Sequence, residues 1–260
     1  MESLLRNRLV AREPCLGTVV TLPDVALAEL SASALHFVWI DLEHGALGAA
    51  DVQPLAIAAR AAGATSLVRV SADSHAAIGT ALDAGVDGIV VPRVDRAADA
   101  ARAIERMHHP PGGLRGSAVR RASAYGRAPG SGRRPICMVQ VESAAAVEQA
   151  QATAAVEGVD ALVVGCADLA LSLGADPRSE RFREAVDEVQ LASEAAGIAS
   201  GIAGPHDPAL LAELAGGRST LLVLAADVRI YARALDAGMG ELRRELALRA
   251  PDQEESHVST

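Results

Sequence analysis

The chain has 260 residues, half of them hydrophobic, and a formal net charge of −9. That is enough for one sizeable core. An acidic chain with one Trp, two Tyr and two Phe argues against a nucleic-acid partner, which would need a basic surface interleaved with aromatics. Lysine is absent and all 24 basic residues are arginine; no Schiff-base lysine, no pyridoxal phosphate (PLP) enzyme and no P-loop is therefore possible.

The first residues, MESLLRNRLVAREPC, have no long apolar run after their basic residues. The expectation is a cytoplasmic protein with no signal peptide and no membrane partner. Cys15, Cys137 and Cys166 are odd in number and far apart, and all lie in or beside apolar runs. They read as small buried hydrophobes rather than as zinc ligands or a disulfide framework.

From there the chain repeats one theme. Short β-branched runs appear at GTVV (17–20), FVWID (37–41), LVRV (67–70), GIVVP (88–92), MVQVE (138–142), ALVVG (161–165), GIASG (ending at 201) and LLVLA (221–225). Between them lie alanine-rich stretches such as DVQPLAIAARAAGA and SAAAVEQAQATAAVEGV, with helical spacing of apolar residues and glycine at their ends. Strand–helix alternation predicts parallel βαβ units. Eight units in 260 residues is the count of a (β/α)8 TIM barrel. An open doubly wound sheet fits less well, because no G-x-G-x-x-G follows the first strand. The predicted domain is a single barrel over 1–250, with a loop insertion at about 108–135 and a mobile tail at 251–260. The insertion is rich in Gly, Pro, Ser and Arg, as lids and binding loops are.

In such a barrel, catalytic groups gather at the C-terminal ends of the strands. The second run ends in Asp41, Glu43 and His44. The third carries Arg69. The fifth carries Gln140 and ends in Glu142, two residues on and therefore on the same face. The sixth runs into Asp168. Singly, each acid reads as a helix cap or an ordinary ion-pair partner. Together they suggest a hard-cation site, in which one or two carboxylates leave positions open for water and substrate. A 2-oxo acid would fill those positions, with Arg69 facing the developing enolate oxygen. His44 is the acid/base candidate.

These segments resemble the HpcH/HpaI-type class II (metal-dependent) pyruvate aldolases, a family of the phosphoenolpyruvate/pyruvate barrel group that includes 4-hydroxy-2-oxoheptanedioate and 2-dehydro-3-deoxy-sugar-acid aldolases. The likeness runs from about Gly17 to about Ala234. It rests on WIDLEHG, VRV, LDAGVDGIVVPRV, PPGGLRG, RASAY, VQVES and VVGCADLALSLG in that order. The resemblance implies that Glu142 and Asp168 bind a divalent metal (Mg2+, Mn2+ or Co2+), that His44 is the general base and that Arg69 stabilises the transition state. It implies that Asp83 raises the basicity of the histidine, and that Gln140 and the backbone at Ala167 and Asp168 bind the pyruvyl group. The implied reaction is reversible cleavage of a 4-hydroxy-2-oxo acid to pyruvate and an aldehyde, in a homo-oligomer, a trimer or hexamer with an exchanged C-terminal helix.

Three positions depart from the family pattern. Val19 stands where a tryptophan is common, Cys166 replaces the proline of a G-P-A-D turn, and the segment between Arg115 and Val139 is short. That segment is expected to shape the site entrance; Arg120, Arg121 and Arg127 read first as solvated loop charges, and alternatively as attracting an acidic aldehyde or a second carboxylate. The alternatives are an acyl-CoA or citryl-type lyase of the same barrel group, and a non-catalytic metal-binding barrel.

Overall fold

The computed structural model describes residues 4–71, 76–128 and 134–249; the expected tail lies outside them. The eight apolar runs become eight parallel strands: β1 Cys15–Val20, β2 Phe37–Asp41, β3 Thr65–Arg69, β4 Gly88–Val91, β5 Ile136–Val141, β6 Ala161–Gly165, β7 Ala199–Ala203 and β8 Leu221–Ala226. They close into one barrel in chain order, with β8 returning to pair with β1. The (β/α)8 architecture is thus as the alternation predicted. The barrel belongs to a compact unit, Met1–Asp227, and Val228–Thr260 form a second. The described part of that second unit is a helix that begins at Asp227 and ends at Leu248, and none of its residues after Asp227 is buried. It adds no core of its own.

Strand periodicity sorts the side chains into two cores. One lies between the sheet and the surrounding helices and includes Val38, Ile40, Val68, Ile89, Val139 and Val164. The other fills the barrel and includes Phe37, Trp39, Leu67, Val90, Met138 and Val163. Leu5 and Leu9 of the first helix, Leu4–Val10, belong to the same interior cluster. Local signals set the ends of the helices outside. Asp24, Ser143, Ser179 and Asp207 cap them through their side chains, and Gly174, Gly197 and Gly216 end three of them in the left-handed conformation.

The interior is filled by large side chains set against gaps. Phe37 is fully buried, and its ring occupies the space where a side chain on Gly17 would project. A Cβ there would sit 2.3 Å from ring carbons Cε2 and Cζ. Gly17→Ala is expected to destabilise the barrel by about 2 kcal/mol, the usual range for overpacking. A urea titration should find a lower midpoint with an unchanged slope.

The cysteines behave as the sequence suggested. All three are free and buried. Burial pushes the thiol of Cys15 up to about 11 and those of Cys137 and Cys166 up to about 12. Thiolate is the reactive form, so a disulfide reagent at pH 8 should label none of the three in native protein and all three after unfolding.

Candidate active site

The site grows out of the barrel interior by one further step of the same alternation. Trp39 lies below Asp41 on β2, Leu67 below Arg69 on β3, and Met138 below Gln140 on β5, with Glu142 just past the end of that strand. The register sets Asp41 directly beside Arg69 and Trp39 beside Leu67. The sheet therefore changes from apolar to charged at one level, the C-terminal end of the strands.

Arg69 is the hub. Its Nε and Nη2 donate to the two carboxylate oxygens of Asp41 at 2.8 and 2.7 Å, a bidentate pair. Its Nη1 reaches Gln140 Oε1 at 3.4 Å and lies 3.4 Å from Glu43 Oε2. The guanidinium carbon stands 5.4 Å from the centroid of the Trp39 ring, within cation–π range. Burial by itself would lower the pKa of Arg69; the hydrogen bonds and charge of Asp41 outweigh it and raise the pKa. The group is a fixed cation, with Nη1 the least committed of its nitrogens.

Asp41, 1 % exposed, also accepts the backbone N–H of Glu43 at 3.0 Å. The short side chain thus orients both the arginine and the turn that follows β2. Glu43 is held beneath Arg69 and His44, and burial raises its carboxyl above the usual range. His44 is more than half exposed, with Nε2 3.7 Å from Glu43 Oε2.

On the other side of the mouth, Gln140 donates to Glu142 Oε1 at 2.5 Å, and the backbone N–H of Arg93 donates to Glu142 Oε2 at 3.0 Å. Glu142 is pushed up to about 7, chiefly by burial; the Arg93 N–H opposes this and the nearby Asp168 charge adds to it. Asp168 lies in the first turn of the helix Cys166–Leu173, which starts where β6 ends. Gly165 makes the approach possible, since a Cβ there would lie 2.6 Å from Glu142 Cγ and Oε1.

A divalent cation fits this donor set. Glu142 and Asp168, just past the ends of the adjacent strands β5 and β6, are near enough for the Asp168 charge to act on Glu142, which is buried and destabilised as an anion. Among the described residues no group of three or more His, Cys, Asp or Glu side chains forms a larger metal nest. A carboxylate pair suits a hard ion that keeps positions for water and substrate.

Thus β2, β3, β5 and β6 bring together His44, Arg69, Gln140, Glu142, Ala167 and Asp168. They do not bring Asp83 to His44. Asp83 ends the helix Ala76–Asp83, which carries the chain from the end of β3 back to the start of β4. It therefore lies at the N-terminal end of the barrel, where it pairs with Arg115 at 2.7 Å. The 108–135 segment joins a helix end to the start of β5, so its described residues next to those elements lie at that end. Arg121 donates there to the backbone oxygens of Ala84 and Gly85. Among its described residues, Arg121 is thus held away from the C-terminal mouth of its own chain.

Residues 24–209 match the HpcH/HpaI aldolase/citrate lyase family. The chain belongs to this family. It is 36% identical to a 4-hydroxy-4-methyl-2-oxoglutarate aldolase from Chaetomium globosum over 200 residues, 70% of this chain and 72% of that one. It is 33% identical to a hydroxypyruvate/pyruvate aldolase from Paraburkholderia phytofirmans over 253 residues, 92% and 97% of the two chains. The crystal structure of an HpcH/HpaI family protein from Burkholderia cenocepacia superposes with a TM-score of 0.85 at 34% identity, covering 93% of this chain and 99% of that one.

Two features of this HpcH/HpaI site escaped the sequence. Asp41 is the partner of Arg69, and the signal was available: both are interior-facing residues at the ends of adjacent strands. Arg93 at the site had no such signal. It follows a proline in a loop, and its contact with Glu142 is made by its backbone. For the pair inside the mouth, Asp41→Asn is expected to cost about 3 kcal/mol of stability, because it strands a buried guanidinium. Equilibrium unfolding in urea measures it.

Proposed function

We propose that this protein is a divalent-metal-dependent aldolase that cleaves a 4-hydroxy-2-oxo acid reversibly into pyruvate and an aldehyde. The observation that carries the reading is Arg69, locked by Asp41 with Nη1 3.4 Å from both Gln140 Oε1 and Glu43 Oε2, between the Glu142 side of the mouth and the His44 side. The aldolase relatives support the class of reaction.

Glu142 and Asp168 would hold the metal, whose chemistry is to draw electrons from the 2-oxo group. Gln140 and the backbone at Ala167 and Asp168 would orient the pyruvyl end of the substrate. His44 Nε2 takes the proton of the 4-hydroxyl group. The C4–O bond becomes a carbonyl, and the electron pair of the C3–C4 bond moves to C3 and the C2 oxygen. The aldehyde leaves, and Arg69 Nη1 donates to the enolate oxygen. A proton delivered to C3 completes pyruvate. Asp41 keeps Arg69 charged and aimed; because the arginine is fixed before substrate arrives, little reorganisation is needed as charge develops. The protein also acts as a homo-oligomer in this reading. The helix after Asp227 exposes Leu235, Met239, Leu242 and Leu246, an apolar stripe at helical spacing that association would cover.

The test is pyruvate release from a panel of 4-hydroxy-2-oxo acids after chelation, with and without Mg2+, Mn2+ or Co2+. Release should vanish with the metal and return on its addition, and His44→Ala should lower kcat by about 100-fold or more. Release only from acyl-CoA or citryl substrates, or none from folded, metal-loaded protein, overturns the proposal.

A further inference from the structure

We infer that Arg93 is a specificity-determining residue that binds a second carboxylate on the aldehyde side of the substrate. The favoured substrates are then 4-hydroxy-2-oxo diacids, or in the reverse direction aldehydes that carry a carboxylate. This rests on the aldolase reading and adds the substrate class to it.

Arg93 lies two residues beyond β4, after Pro92, with φ +52°. Few non-glycine residues adopt the left-handed region, and an arginine there needs a cause. The cause visible here is its backbone N–H, which donates to Glu142 Oε2 at 3.0 Å. The root of the side chain is thereby anchored at the proposed metal ligand. The side chain itself is 61% exposed, and Nε stands 3.8 Å from Glu43 Oε1, too far for a hydrogen bond. A cation tied at its base to the catalytic carboxylate is thus aimed over the mouth with its donors uncommitted.

Arg69 is otherwise employed, and Arg120 and Arg121 stand elsewhere. Arg69 is 12% exposed and bound by Asp41, Gln140 and Glu43. It has one nitrogen to offer and the enolate oxygen to meet with it. Arg120 and Arg121 belong to the segment at the far end of the barrel. The mouth otherwise carries Asp41, Glu43, Glu142 and Asp168, which repel an anionic aldehyde group. Arg93 is the residue that would offset that repulsion at the point where C4 and its substituent must lie, outward from the 2-oxo acid seated on Glu142 and Asp168. Its planar fork of donors suits a carboxylate.

The test compares kcat/KM for pyruvate release from two substrates of one skeleton, 4-hydroxy-2-oxoglutarate and 4-hydroxy-2-oxovalerate, which place a carboxylate and a methyl group at the same carbon. Wild-type enzyme and two variants are used with Mg2+ present. Arg93→Asn removes the charge with a residue that tolerates the left-handed backbone and keeps the N–H to Glu142. Arg93→Lys restores a cation without the fork. The diacid-to-neutral ratio is expected to fall about 10- to 100-fold in Arg93→Asn, as loss of a charge-assisted hydrogen bond implies. It should recover in part in Arg93→Lys. A ratio unchanged in Arg93→Asn, whether both substrates lose rate together or neither does, overturns the inference and leaves the aldolase reading standing. Absence of pyruvate from either substrate with wild-type enzyme overturns both.

Discussion

The ion pair of Asp41 with Arg69 is the constraint around which the mouth of the barrel is arranged. A guanidinium taken out of water is affordable only with its charge met and its donors used. Asp41 does both with two hydrogen bonds, and the parallel register of β2 and β3 puts it directly alongside. Trp39 lies against the guanidinium from within the barrel, and Gln140 and Glu43 approach from either side. Replacing such a pair by hydrophobic residues often leaves stability unchanged or higher. Its presence at this level of the barrel therefore argues for function more than for stability.

From that pair polar contacts pass round the mouth, by hydrogen bonds as far as Arg93 and by charge beyond it. Gln140 links Arg69 to Glu142, Glu142 binds the backbone of Arg93, and Arg93 looks across to Glu43, which lies against Arg69 and His44. Arg69, Gln140 and Glu142 are each held by another member, so their arrangement exists before any ligand binds. The same economy explains the glycine of β6. Glu142 fits because Gly165 has no side chain. Nearby, the carboxylate of Asp227 accepts the backbone N–H groups of Thr21 and Leu22 at 2.9 and 3.1 Å. That contact ties the end of β8 to the turn after β1 and completes the rim.

The barrel also separates its two ends by chemistry, and this is where reading the sequence fell short. Asp83 and Arg115 stand close to predicted site segments in the chain, and both lie at the opposite end of the barrel. Asp83 is in a helix that runs against the strands, and Arg115 is in a segment that leaves such a helix. Direction decides the matter: only residues at strand ends or in the turns that follow them reach the mouth. Arg121 lies at that end for the same reason. Arg93 satisfies that condition, yet its role depends on a backbone N–H and a positive φ, which leave no mark on residue type.

The amino-acid sequence by itself determined the eight strand–helix units, because continuous apolar runs and period-3.6 patterns of apolar residues are local properties of a chain. It determined the closure of Schiff-base chemistry, because a residue type that is absent cannot be supplied by folding. It also determined the cluster of His44, Arg69, Gln140, Glu142 and Asp168, because one topological rule sends all strand ends of a barrel to the same side. Only the tertiary structure decided which partner each of them has. Asp41 holds Arg69, Arg93 holds Glu142 by its backbone, and Asp83 is paired with Arg115, away from His44. These are contacts between segments distant in sequence, set by strand register, helix direction and a single left-handed residue. Each is a property of where the chain goes in space, which residue identity alone does not encode.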